Sequence, residues 1–137
     1  MALTLGIAIG MPAAAFAGNA YSAIGYATVG GRQYENRAAI YTTTGTARAE
    51  TQVGTTYVTA QPGWLGARGR LFTSGGALSC ESSTVYNSTS YAAGTRFGTQ
   101  SCVRTYSGTW YSYGVTPLWN NSGYSPYYTL LSPNQNS

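Results

Sequence analysis

The chain has 137 residues, seven basic and three acidic, for a formal charge of +4. Only 7% of its residues are charged, against about 25% in an average globular protein; every basic residue is Arg, and Lys, Asp and His are absent. A Ser-His-Asp triad, a Cys-His pair, an imidazole metal site and a Lys-bearing phosphate loop are therefore excluded, and the length allows one domain.

Residues 1–17 are uncharged and mostly apolar or small, with Leu3, Leu5, Ile7, Ile9 and Met11 ahead of Pro12 and Ala15-Phe16-Ala17 at the end. That A-x-A pattern predicts an export signal cleaved after Ala17, leaving Gly18–Ser137. The alternative, a buried N-terminal helix, is opposed by the Gly and Pro within the stretch. No Arg or Lys precedes the apolar run, which leaves open a start upstream of Met1. The run is too short for a membrane span of about 20 residues, and no later segment is long enough. The expectation is a secreted, extracellular protein, free in solution or associated with the cell surface.

The rest of the chain is rich in Tyr, Thr, Val, Ser and Gly, residues of pleated surfaces and tight turns, and has no sustained helical periodicity. Tyr21 to Val29 reads as a first strand and Arg37 to Thr44 as a second. A long polar strand runs from Thr46 to Thr59, either continuous or broken at Gly54. After the turn Gln61-Pro62-Gly63, Trp64 to Thr73 is the clearest strand. Its alternation puts Leu65 and Leu71 inward and Arg68 and Arg70 outward. Ser74-Gly75-Gly76 turns the chain into a hairpin partner, Ala77 to Ser82. Thr84 to Ala92 is a further strand, Gly94 to Gly98 a loop, and Ser101 to Tyr106 and Thr109 to Leu118 two more strands. Asn120 to Gly123 is a tight turn. Tyr124 to Leu131 is the last strand, with Pro126 confining part of it to an edge or bulge, and residues 132–137 are a polar tail. About eight short strands with closely spaced turns predict an all-β fold: a single small antiparallel β-sandwich, or partly closed barrel, over residues 18–131.

Cys80 and Cys102 are the two cysteines, and an exported chain meets an oxidising compartment, so they are expected to pair. The bridge closes a loop of about 22 residues, worth roughly 3 kcal/mol. Without His they make a poor metal site, and a nucleophilic Cys would lack a base; no metal and no cofactor is expected.

Glu35, Glu50 and Glu81 are the only side-chain carboxylates. Two of them would serve a glycosidic bond if held about 5–9 Å apart, but the simpler reading pairs each with an Arg. The chain is therefore expected not to be an enzyme. Arg68 and Arg70 leave one strand in the same direction, and Arg96 and Arg104 bracket Cys102. A cationic face of this kind attracts phosphate, teichoic acid or an anionic membrane surface, and nucleic acid is not expected. The simpler reading is solubility.

Trp64, Trp110, Trp119 and 13 Tyr are the more unusual feature. Within Trp110-Tyr111-Ser112-Tyr113-Gly114-Val115 the two tyrosines share one face and Trp110 takes the other. Tyr124, Tyr127 and Tyr128 follow the turn and would stack across the same pair of strands. Flat rings beside hydroxyls and amides suit sugar rings, and the plainer alternative is a Tyr-filled core. The triplets Asn87-Ser88-Thr89 and Asn120-Asn121-Ser122 match a glycosylation acceptor and arise readily by chance in such sequence.

The cleavage pattern, the stretch Gly63-Trp64-Leu65-Gly66-Ala67-Arg68-Gly69-Arg70-Leu71, and Tyr113-Gly114-Val115-Thr116 with Trp119-Asn120-Asn121-Ser122-Gly123-Tyr124 and Ser132-Pro133-Asn134 resemble small secreted proteins of Gram-positive bacteria, especially actinobacteria. In style the chain is also similar to the lactococcin-like bacteriocins, through its leader, its Tyr/Gly/Ser-rich strands and its Tyr127-Tyr128 pair. That resemblance implies an exported β-sandwich acting at the cell envelope, and it carries over no functional residue. The chain departs from that family in its length and in lacking Lys and His. Together these readings predict a secreted binding protein for a glycan or cell-wall polymer. Trp64, Trp110, Tyr111, Tyr113 and Trp119 carry the binding, with Arg68 and Arg70 second. A self-assembling surface protein is the alternative, and an envelope-directed toxin or proteinase inhibitor, which implies a protein partner, is the third.

Overall fold

The computed structural model describes residues 17–137. The expected leader and its cleavage pattern lie outside the described residues, apart from Ala17. Those residues are all-β, with no helix among them and so none long and apolar enough to cross a membrane. The strands are β1 (Asn19–Tyr21), β2 (Gly25–Val29), β3 (Arg32–Thr43), β4 (Thr46–Thr55), β5 (Gly66–Ala67), β6 (Arg70–Thr73), β7 (Leu78–Glu81), β8 (Val85–Tyr86), β9 (Arg96–Gln100), β10 (Thr109–Ser112), β11 (Val115–Trp119), β12 (Tyr124–Tyr128) and β13 (Gln135–Asn136).

They assemble into two antiparallel sheets. In the first, β3 and β4 form a long hairpin, in register from Thr43↔Thr46 to Tyr34↔Thr55. β1 and β2 lie end to end along the free edge of β3, and β9 lines the free edge of β4. In the second sheet, β5 and β6 are halves of one strand, as are β10 and β11. The bridges Leu65↔Leu118 and Arg68↔Val115 keep the same register as Leu71↔Ser112, so the two long strands pair throughout. β7 and β8 take one edge of this sheet, and β12 and β13 the other.

All four sheet edges carry the same irregularity. At Ser22, Ser82, Ser101, Thr129 and Ser132 the backbone N–H donates to the neighbouring strand, and the side-chain hydroxyl accepts the N–H that the displaced carbonyl would have taken. The partners are Ala38, Gly69, Ala49, Gly114 and Ser112. The four Ser hydroxyls also donate to the next residue's carbonyl. A bulge of this kind bends an edge away from further strand pairing.

The core lies between the sheets in two apolar clusters. One gathers Val29, Tyr34, Val53, Ala60, Leu65, Ala67 and Leu118; the other Ile40, Ala47, Ala49, Leu71 and Trp110. Alanines on the inner faces leave room that Tyr34 and Trp110 fill, the small-against-large pattern of close-packed cores. Between the clusters the sheets meet at a polar waist. Thr51 Oγ1 donates to the Arg68 carbonyl (2.8 Å), and Asn36 Nδ2 donates to Thr116 Oγ1 (2.9 Å). Gly114 is bare where Thr51 presses against it: a Cβ there would lie 1.8 Å from Thr51 Oγ1. The disulfide Cys80–Cys102 joins the β7 edge of one sheet to the β9 edge of the other, stapling the sandwich along one side.

The sandwich and the bridge are as the sequence predicts, and several segments differ. Strand β4 runs unbroken through Gly54 and ends at Thr55 rather than Thr59. Of the strand expected from Thr84 to Ala92 only Val85–Tyr86 forms one, with a single further bridge at Tyr91. Arg96–Gln100, within and beyond the expected loop Gly94 to Gly98, is strand β9. Gly98 marks close packing there, since a Cβ would lie 3.2 Å from Glu50 Cδ. Ser101 to Tyr106, expected as a strand, makes only the single bridge Ala47↔Arg104, because the Ser101 bulge interrupts pairing. Residues 132–137 are part of the second sheet rather than a free tail. Ser132 is buried, Gln135–Asn136 pair with Thr109–Trp110, and Ser137 Oγ accepts Trp110 Nε1–H (2.9 Å).

Candidate functional site: an aromatic and arginine face

Strand alternation sorts the second sheet's side chains. Leu65, Ala67, Leu71, Trp110, Ser112, Thr116 and Leu118 are buried and face inward. Gly66, Arg68, Arg70 and Phe72 face outward on one long strand; Tyr111, Tyr113, Val115, Pro117 and Trp119 face outward on the next. The edges add Tyr86 and Glu81 on one side and Tyr124, Pro126 and Tyr128 on the other.

Two aromatic clusters result. In the first, Phe72 and Tyr111 stack at 5.3 Å, Tyr113 and Tyr128 stack at 5.4 Å, and Phe72 lies 6.0 Å from Tyr113. The Arg70 guanidinium sits among these rings, 4.8 Å from Phe72, 5.7 Å from Tyr113 and 5.9 Å from Tyr128, within cation–π range. In the second, Trp119 meets Tyr124 edge-on at 5.3 Å, and Tyr124 lies 4.6 Å from Tyr86. Tyr86 lies over Gly66, where a Cβ would be 2.8 Å from the ring, so this ring position requires glycine. Pro62, Gly63, Trp64, Trp119 and Tyr124 line a shallow groove of about 230 Å³. Burial, and then the neighbouring Tyr86 and Tyr34, raise the Tyr124 phenol above the ordinary tyrosine pKa.

Buried polar groups place the second cluster. Asn87, 2% exposed, accepts Leu65 N–H at Oδ1 (2.9 Å) and donates from Nδ2 to the Gln61 carbonyl (2.9 Å), pinning the loop that carries Trp64. Asn120 Oδ1 accepts the N–H groups of Ser122 and Gly123 and closes the turn between Trp119 and Tyr124. Both Asn-x-Ser/Thr triplets therefore have structural roles here. Arg32 from the first sheet lies 3.9 Å over the Trp64 ring and donates to the Trp119 carbonyl and to Asn121.

Of the seven residues singled out in the sequence, six gather at this face. Tyr111, Tyr113, Trp119, Arg68 and Arg70 lie on it, and Trp64 stands at its end. Trp110 does not. It is 2% exposed and packs in the core, with its ring 5.3 Å from Tyr106. The alternation along 110–115 already separates it from Tyr111 and Tyr113. Phe72, Tyr86, Tyr124 and Tyr128 complete the face. Spacing four residues apart on one strand puts Tyr124 and Tyr128 on the same face, whereas Tyr86, on a two-residue strand, carries no periodic signal. Tyr127 faces the opposite way from Tyr128 in the ladder and lines a cleft with Tyr26, Tyr34 and Asn36.

The carboxylates are dispersed. Glu35 is buried and pairs with Arg96 at 2.9 Å. Glu50 accepts from Tyr41 (3.2 Å), Gln52 and Gln100 (3.4 Å). Both lie on the first sheet's outer face, four register steps apart, or about 13 Å. Rings and cations on that face occupy one another: Arg37 lies 4.2 Å over Tyr21 and Arg48 5.2 Å over Tyr41. Burial first, then the Glu50 charge, raise the Tyr41 phenol well above its usual range. Glu81 is on the second sheet, between Arg68 (3.4 Å) and Arg70 (3.7 Å).

Comparison with protein-family models, with curated protein sequences and with solved structures returned no match. The functional reading therefore rests on this chain's own residues.

Proposed function

We propose that this is a secreted, non-enzymatic binding protein that acts at the cell envelope or outside the cell and holds a glycan or cell-wall polymer on the outer face of its second sheet. The observation that carries this reading is the pair of aromatic clusters on one sheet face. Tyr113 and Trp119 are six residues apart along one extended strand, so the clusters stand about 20 Å apart. That spacing suits a linear chain of several sugar rings better than one small molecule. Tyr and Trp offer flat apolar faces to sugar C–H groups and polar edges to hydroxyls, at low entropic cost. The leader-like residues 1–17 and the Cys80–Cys102 bridge support export.

Retention on insoluble cell wall, chitin and cellulose tests the proposal. Retention is expected, with Trp119→Ala and Tyr128→Ala reducing it. Equal retention of both variants would contradict the site. The four bulged edges argue against strand-by-strand self-assembly, so a concentration-independent mass by light scattering is expected.

A further inference from the structure

The second sheet's outer face holds, between its aromatic clusters, two guanidinium groups and one carboxylate. Arg68 and Arg70 occupy successive outward positions and share Glu81, with N···O distances of 3.4 and 3.7 Å. Charge-assisted contacts normally close to about 2.7–2.9 Å. Among the described residues the Nε of each is buried without a hydrogen-bond partner, as is that of Arg96. Other arginines are better engaged: Arg32 with Tyr34, Asn121 and the Trp119 carbonyl, Arg37 with Gln52, Arg96 with Glu35, and Arg104 with Ser79. One positive charge on this face is thus uncompensated, and the single carboxylate serving both cations is loosely held and over a third exposed. Three rings hold the Arg70 guanidinium in place whether or not Glu81 is bound to it.

We propose that the polymer held on this face is anionic, and that Glu81 is a resident counter-ion which the polymer's carboxylate or phosphate replaces between Arg68 and Arg70. This rests on the aromatic face being the binding surface. The rings would take the sugar or polyol backbone, and the arginines its charged substituent, a group they bind through parallel N–H donors. Glu81 keeps the pair from standing uncompensated in the free protein, and it also competes with the ligand.

The test measures binding of the purified protein to three soluble polymers: polygalacturonate (carboxylate), poly(glycerol phosphate) (phosphate) and hydroxyethyl cellulose (neutral). Glu81→Gln keeps the side-chain shape and removes the competitor, so it is expected to tighten binding to the anionic polymers several-fold while leaving the neutral one unchanged. Arg68→Gln, at an exposed side chain, is expected to weaken anionic binding about tenfold. Preference between polygalacturonate and poly(glycerol phosphate) identifies the anion. Neutral-polymer binding that Trp119→Ala abolishes, with anionic binding indifferent to Glu81→Gln and Arg68→Gln, would overturn the anion subsite and leave the aromatic face standing. Binding to none of the three would overturn both. Thermal unfolding of Glu81→Gln and Arg68→Gln at the native temperature shows that the fold is kept.

Discussion

At Gly114 the second sheet's backbone lies directly against Thr51 of the first, and replacing it tests the packing of the waist. A Cβ at Gly114 would fall 1.8 Å from Thr51 Oγ1 and 2.7 Å from both Thr51 Cβ and Cγ2. No rotamer of Thr51 clears its own Cβ, so Gly114→Ala must part the sheets. Overpacking of this kind costs about 1–3 kcal/mol. Moving Thr51 also threatens its 2.8 Å bond to the Arg68 carbonyl, worth about 0.5–1.5 kcal/mol net. Gly→Ala returns about 0.4–1 kcal/mol by restricting the unfolded chain. The net expectation is a loss of roughly 0.5–4 kcal/mol, read as a lower urea midpoint by tryptophan fluorescence. Thr51→Gly alone also destabilises, by losing a buried methyl, a hydrogen bond and strand propensity. Combined, the two changes move the Cβ from one sheet to the other, and the steric cost disappears. The double variant is therefore expected to be more stable than the sum of the singles by more than about 1 kcal/mol. Additivity within about 0.5 kcal/mol would refute a direct contact between these strands.

Further expectations follow from other parts of the sandwich. Replacing Cys80 and Cys102 together by Ser should cost about 3 kcal/mol, since the bridge closes a 22-residue separation; an unchanged urea midpoint would contradict the staple. Ser101→Ala leaves the buried Ala49 N–H without its acceptor, so a loss of about 1–3 kcal/mol and faster exchange of the Ala49 amide are expected. The Tyr41 phenol stays protonated in the folded state above pH 10, where it ionises in the unfolded chain. The unfolded state then binds fewer protons, so stability should fall as pH rises beyond about 10, by up to 1.36 kcal/mol per pH unit for this one group. Tyr41→Phe should flatten that slope in pH-dependent unfolding, and an unchanged slope would count against the shift. Trp110→Phe should lower stability and leave polymer retention intact, whereas Trp119→Ala should do the reverse; the opposite pattern in paired unfolding and retention assays would place the binding residues wrongly.

The readable parts of this fold are those with strict alternation. Trp64 to Thr73 shows its inner and outer rows directly, because Leu65 and Leu71 alternate with Arg68 and Arg70. Trp110 to Trp119 does the same, and that alone separates the core Trp110 from the outward Tyr111 and Tyr113. Strands built on glycine and hydroxyl residues are harder to read. Gly98 looks like turn punctuation, but its lack of a side chain makes room for the Glu50 carboxylate. Ser22, Ser82, Ser101 and Ser132 look like loop residues, but their hydroxyls stand in for missing backbone acceptors at the sheet edges. The same holds for residues 132–137, which bond to the sheet through polar side chains and so lack an apolar pattern. At the site, Arg68 and Arg70 are visibly paired in the sequence. Glu81 becomes their shared counter-ion only through the hairpin register that sets it opposite Arg70.

The most direct test of the account is oxidative footprinting of the aromatic side chains with and without bound cell-wall polymer. The account predicts protection of Trp119, Tyr113, Tyr124 and Tyr128, with Tyr21, Tyr41 and the exposed Tyr57 unchanged. Protection of the first-sheet tyrosines instead, or unchanged reactivity at all of these rings while the polymer is bound, would contradict it.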